Sequence, residues 1–243
     1  MIQGGFMKVL TVLMTAGLSL NAFAILPDVV EAPIDHVFVP NGFDNNDHVE
    51  VVVTGKFPNP CYTRNKYEVK VKNDVIKIDV TSLSMDDPAY TKCEPLKIPF
   101  TEVVDLGSLQ GGDYKIIVNE GGKYEQKDGI VIATSSSESI DDNIYAMVDY
   151  IETGFTGGAS GDAMLVAQSP SPCLVLDRVE YLSNDKDALS VLPIMKKISS
   201  NCPEKRKRLE IPIKFDPTKF KFEQILLFVR TIEGRSVNTF ISK

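Results

Sequence analysis

The chain has no tryptophan and only two histidines, His36 and His48, both near its beginning. That leaves few bases for a Ser-His or Cys-His enzyme, which needs a nucleophile, a base and an orienting group. No Gly-x-Ser-x-Gly elbow is present. The glycine cluster at 154–161 lacks the Gly-Lys-Ser/Thr ending of a phosphate loop and reads as a loop between strands. No Cys-x-x-Cys pair occurs, although zinc ligands usually come in such close pairs. Past residue 24 no apolar run approaches the length of a membrane span. Basic side chains are outnumbered, 26 against 33 acidic, for a net charge of −7. We assign no catalytic residue, no metal and no cofactor.

What is present begins with a leader. From Met7, one positive charge at Lys8 precedes the apolar run Val9 to Leu20, and Ala22-Phe-Ala24 places small residues where a signal peptidase needs them. Residues 1–24 are expected to be a signal peptide cleaved after Ala24, giving a periplasmic or secreted protein with no membrane span in the mature chain. Export agrees with four cysteines, an even number suited to disulfides. Four cysteines allow three pairings.

A repeat chooses among them. Pro58-Asn-Pro-Cys61 through Cys93, closed by Leu96-Lys-Ile-Pro-Phe100, returns as Pro170-Ser-Pro-Cys173 through Cys202, closed by Leu209-Glu-Ile-Pro-Ile213. Gly42-Phe43 and Gly154-Phe155 stand at the same distance before their cysteines, and Val51–Val53 corresponds to Ala163–Leu165. One bridge per copy follows: Cys61–Cys93 and Cys173–Cys202. Between these marks lie short strands. Tyr67, Val69 and Val71 alternate with charged residues, Asn73-Asp74 turns the chain, and Val75 to Val80 returns as the partner of a hairpin. Further strands are expected at Val37–Val39, Val49–Thr54, Ile98–Val104, Tyr114–Val118 and Tyr124–Ile132. Leu189 to Ser200 has helical character, although the repeat argues for strand and loop.

Short strands between turns indicate an all-β chain of two tandem sandwich domains, at 25–133 and 144–243, joined by the polar segment 134–143. These single-disulfide units, with Tyr114-Lys-Ile-Ile-Val118 near the end of the first, resemble the immunoglobulin-like sandwiches of bacterial envelope proteins. The likeness implies an architecture and no particular activity. The chain lacks the Trp that packs on the disulfide of a true immunoglobulin domain, and its Cys spacing is shorter than an inter-sheet bridge implies. The bridge is expected to tie a loop to a strand.

Charge is distributed unevenly. Residues 25–135 carry 11 basic and 18 acidic side chains, and residues 136–243 carry 14 and 15. Between 196 and 221 nine basic residues face only Glu204, Glu210 and Asp216. At their centre is Lys205-Arg206-Lys207-Arg208, a candidate patch for a protein partner or an anionic envelope polymer. No aromatic residues interleave the run, which argues against nucleic acid. Asp44-Asn-Asn-Asp47 with Glu50 clusters oxygen ligands that calcium could use, but also fits a turn bonding its own backbone. Acidic pairs such as Asp86-Asp87 and Asp141-Asp142 could serve a carbohydrate hydrolase as acid and base, but read as solvated turns. The preferred reading is a non-enzymatic envelope binding or structural protein. The alternatives are that hydrolase, or a secreted protease inhibitor presenting the disulfide-braced loop.

Overall fold

A computed structural model describes residues 26–86, 92–154 and 162–243. The leader at 1–24 lies outside them. Eight strands form the first half: β1 (Asp28–Glu31), β2 (Ile34–Phe38), β3 (Val49–Phe57), β4 (Tyr62–Lys72), β5 (Val75–Ser84), β6 (Ile98–Gly107), β7 (Gly112–Val118) and β8 (Gln126–Ile132). Eight more form the second: β9 (Ile144–Tyr145), β10 (Met147–Thr153), β11 (Asp162–Ser169), β12 (Leu174–Ser183), β13 (Ala188–Lys197), β14 (Lys207–Lys214), β15 (Gln224–Arg230) and β16 (Ser236–Ser242). Each predicted strand is found. The fold is all-β. Leu189–Ser200 is strand up to Lys197, because residues 188–195 are buried on both faces and pair with three neighbouring strands.

The halves repeat strand for strand. A three-stranded sheet, β2-β3-β6 or β10-β11-β14, packs on a five-stranded one, β1-β5-β7-β8 with β4, or β9 with β12-β13-β15-β16. The irregularities repeat too. The ladder shifts between Ile34 and His36 in β2, and at the matching place between Val148 and Tyr150 in β10. Gly42 and Gly154 both have positive φ, 94° and 85°, which a side chain tolerates poorly. The two Leu-x-Ile-Pro motifs, by contrast, are not equivalent. Ile98 pairs with Phe57 but Ile211 pairs with Leu165, the counterpart of Val53. Each half also contains one parallel pair, β5 with β7 and β13 with β15, whereas immunoglobulin sheets are antiparallel.

Alternation along the strands explains how the sandwiches sit together. In β3, Val51 and Val53 point into the first core, while Val52 and Glu50 point the other way, toward the second half. In β15, Ile225, Leu227 and Val229 fill the second core, while Leu226 and Phe228 join the core of the first half. The central strands of this sheet, β13 and β15, are therefore covered on both sides. Phe38 meets Phe240 and Phe43 meets Phe228 across the junction, with ring centroids 5.1 and 5.5 Å apart. Each large apolar side chain buried this way contributes about 1.5–3 kcal/mol. A side chain at Gly42 would collide with Leu182 of the other half.

Polar groups lock this junction. Arg230, 3% exposed, donates to both carboxylate oxygens of Asp47 and, at 2.6 Å, to Asp141. Its guanidinium lies against Phe43 and Tyr145. Burial opposes its charge, but the hydrogen bond and charge of Asp47 outweigh that and raise its pKa. Asp142 accepts from the amides and hydroxyls of Ser136 and Ser137 and from Asn46, which holds its carboxyl well below the usual range. The polar segment 134–143 is thus fastened to both sandwiches. Asp141-Asp142 is a structural tie, not a solvated pair. On the opposite side of the junction, His36 Nε2 lies 2.6 Å from Asp187, whose carboxylate is fully buried and also accepts from Asn184.

Two predictions follow from the junction. Arg230→Ala leaves two carboxylates buried without their cation, and is expected to cost about 3–5 kcal/mol in chemical denaturation at neutral pH. A change within experimental scatter would show that the triad does not hold the halves together. Glu50 accepts a hydrogen bond from Ser236, yet burial, the larger effect, raises its carboxyl above the ordinary value. Its contribution is then full below the unfolded pKa and is lost as pH rises through the raised one. Glu50→Gln should remove that part of the fall in stability as pH rises above the ordinary carboxyl pKa of about 4.3; an unaltered pH slope would contradict this.

Candidate functional site: the basic segment beside the second disulfide

After Lys197 the chain leaves β13 and crosses toward β14. Midway, Cys202 is bridged to Cys173, which lies in the turn between β11 and β12, with Cα atoms 5.6 Å apart. Ile198 donates its backbone N–H to the Cys173 carbonyl, 2.8 Å away, so the crossing is held at its start and middle. In the first half, Cys61 and Cys93 join the corresponding connections, 6.0 Å apart at Cα. The expected pairing is present. Each bridge ties loop to loop, however, because both cysteines of each pair lie outside the strands.

Lys205 and Arg206 follow the bridge in irregular backbone, and Lys207 and Arg208 open β14. All four are exposed. Among the described residues Arg208 alone of the four has an ion-pair partner, Glu210 at 3.1 Å, and both of those side chains are more than half exposed. Such a pair is worth at most about 1 kcal/mol. Nearby, Lys196 and Arg178 donate to Asp177, which lowers that carboxyl's pKa. Among the described residues, the charges of Lys205, Arg206 and Lys207 are therefore unspent.

Strand β14 forms one edge of its sheet. Lys207, Arg208, Glu210 and Lys214 project from it, and Pro212 carries no N–H. Charges and proline blunt an edge against pairing with another strand. A partner is thus offered ammonium and guanidinium groups more readily than a backbone ladder.

The other candidates are placed differently. Asp47 is 2% exposed and committed to Arg230, while Asp44 and Asp47 accept from the loop's own N–H groups, as a turn requires. Burial and then the charge of Asp47 raise the Asp44 pKa. Among the described residues no three acidic, histidine or cysteine side chains are grouped to hold a metal. Asp86 accepts from Asn59; Asp87 lies outside the described residues, as does the glycine loop from 155 to 161. What the sequence did not reveal is the junction set of Arg230, Asp47, Asp141, His36 and Asp187. Their partners lie 89 to 183 residues apart, and no local period marks them.

With this geometry in hand, comparison with known proteins adds one finding. Residues 51–127 match a family model, the ORF11 beta-sandwich domain. The match runs from β3 into β8, inside the first sandwich, and agrees with the architecture. No curated protein and no solved structure matches the chain. Two disulfides suit an oxidising, exported setting. No helix among the described residues is long and apolar enough to cross a membrane.

Closing the loop between Cys173 and Cys202 should stabilise the chain by about 3–4 kcal/mol in the chain-entropy treatment. The double substitution Cys173→Ser and Cys202→Ser is expected to lower stability by that order, read by denaturant unfolding. Non-reduced peptide mapping that joined Cys61 or Cys93 to a cysteine of the second half would overturn both pairing and magnitude.

Proposed function

We propose that the protein is an exported, non-enzymatic binding component of the bacterial cell envelope. On this reading residues 1–24 are removed after Ala24, and two immunoglobulin-like units act as one rigid body that presents the segment Lys205–Arg208. The recognised partner is an anionic envelope polymer or the acidic face of a protein. One observation carries the reading: three adjacent cations, Lys205, Arg206 and Lys207, stand exposed, and unpaired among the described residues, on a disulfide-held crossing of an acidic protein. A net charge of −7 gives these groups no general electrostatic reason to gather. The acidic pair Asp141-Asp142 is engaged in holding the fold, which leaves the hydrolase reading without its best carboxylates.

The test is a pull-down from envelope extract with residues 25–243, beside a variant carrying Ser at 205–208, at low and moderate salt. The bound component should be lost in the variant and weakened by salt, because exposed charges are screened over about 8–10 Å at physiological ionic strength. A component held equally by both proteins would move the binding site elsewhere. Slow trypsin cleavage at 205–208 in the native protein would instead favour the inhibitor reading.

A further inference from the structure

The first sandwich is acidic as a whole, yet its outer face carries lysines. Lys70 is directly opposite Lys77 across β4 and β5. Lys72 is opposite Val75, Val75 opposite Lys115, Lys77 opposite Ile117, and Ile117 opposite Lys127. Pairing partners share a face, so Lys70, Lys72, Lys77, Lys115 and Lys127 all project from the same side, away from the core residues Ile76, Ile78, Ile116 and Val118. Like charges directly opposite one another destabilise a sheet. Some are compensated: Lys70 pairs with Asp79, Lys77 with Glu120 and Lys127 with Glu125. Lys72 and Lys115 have no such partner among the described residues.

The duplication shows what this face has become. The parallel pairs open at Val75 with Lys115 and at Ala188 with Leu226, which sets the equivalence. Ser190, Leu226 and Asn238 in the second sandwich, on the face covered by the first, correspond to Lys77, Lys115 and Lys127. Phe240 corresponds to Gly129. Beside Lys115 lies an open groove of about 400 Å³ lined by Lys115, Ile116, Ile117, Lys127, Asp128 and Lys186. Lys186 comes from the second sandwich and is held there by Asp128 at 2.5 Å.

We infer that this groove is a second anion site, taking a phosphate- or sulfate-bearing ligand of saccharide size between Lys115, Lys127 and Lys186. Ile117 supplies an apolar floor, Lys115 offers an ammonium unpaired among the described residues, and Lys127 and Lys186 would turn from Glu125 and Asp128 toward the ligand's charges. Its size falls within the range of small-ligand sites. The site is separate from Lys205–Arg208, because Lys186 precedes β13 and the basic segment follows it, at the far end of that strand.

The experiment is calorimetric titration of residues 25–243 at low salt with two probes, pyrophosphate and a heparin-derived tetrasaccharide. Wild type is compared with the double variant Lys115→Ser, Lys127→Ser and with the variant carrying Ser at 205–208. Both lysines of the double variant are exposed, and an unchanged thermal midpoint confirms its fold. The expected result is binding weakened by about tenfold or more in the double variant and retained by the 205–208 variant. Binding of pyrophosphate would support a free phosphate source, and binding of the tetrasaccharide alone a sulfated saccharide. Equal affinity in the double variant, loss only in the 205–208 variant, or no binding of either probe by wild type would each overturn the site.

Discussion

Covering the central strands of one sheet on both faces is the constraint on which the rest of the structure depends. Strand β15 has no solvent side: its odd-numbered residues fill one core and Leu226 and Phe228 join the other. A sheet buried twice cannot shift register by one residue without placing its two sets of side chains in the wrong cores. Charges placed at the rim of such a contact must be paired, since an unpaired buried charge costs several kcal/mol. Arg230 meets this condition with Asp47 from one sandwich and Asp141 from the connecting segment. The connection becomes part of the contact, bonded to both sandwiches.

Duplication followed by divergence accounts for the surfaces. One fold appears twice, down to the placement of a bulge, yet its five-stranded face has opposite chemistry in the two copies. Where the face is covered, Leu226 and Phe240 make apolar contact. Where it is bare, Lys115 stands in place of Leu226 and glycine in place of Phe240. A covered face gains from every methylene it buries, whereas an exposed one needs charge to remain solvated. Solvation accounts for the presence of charge. It does not account for Lys115, which has no ion-pair partner among the described residues, and that is the charge an anionic ligand would engage.

The two cationic surfaces differ in how they are held. Lys205–Arg208 follows a disulfide in irregular backbone, so its side chains are free to adapt while its anchoring is covalent. Lys115 and Lys127 stand on a paired sheet, and Lys186 is held beside them only while the junction keeps the sandwiches together. The first suits a partner of irregular shape, and the second a ligand of defined size.

The sequence by itself determined the strands, the repeat and the disulfide partners. Period-two alternation is local, as in Tyr67 to Val71, and equal spacing in two copies identifies which cysteines correspond. It also marked Lys205–Arg208, because adjacent charges need no fold to be counted. The Leu-x-Ile-Pro match misled by four positions, since short motifs recur within a strand without sharing its register. Only the tertiary structure decided that the sandwiches stack, that Asp47 and Asp141 serve Arg230, and that five lysines scattered from 70 to 127 share a face. The physical reason is range. Side-chain alternation within a strand is set by neighbours two residues away, whereas the side of a sheet that meets water is set by strands more than a hundred residues distant in the chain.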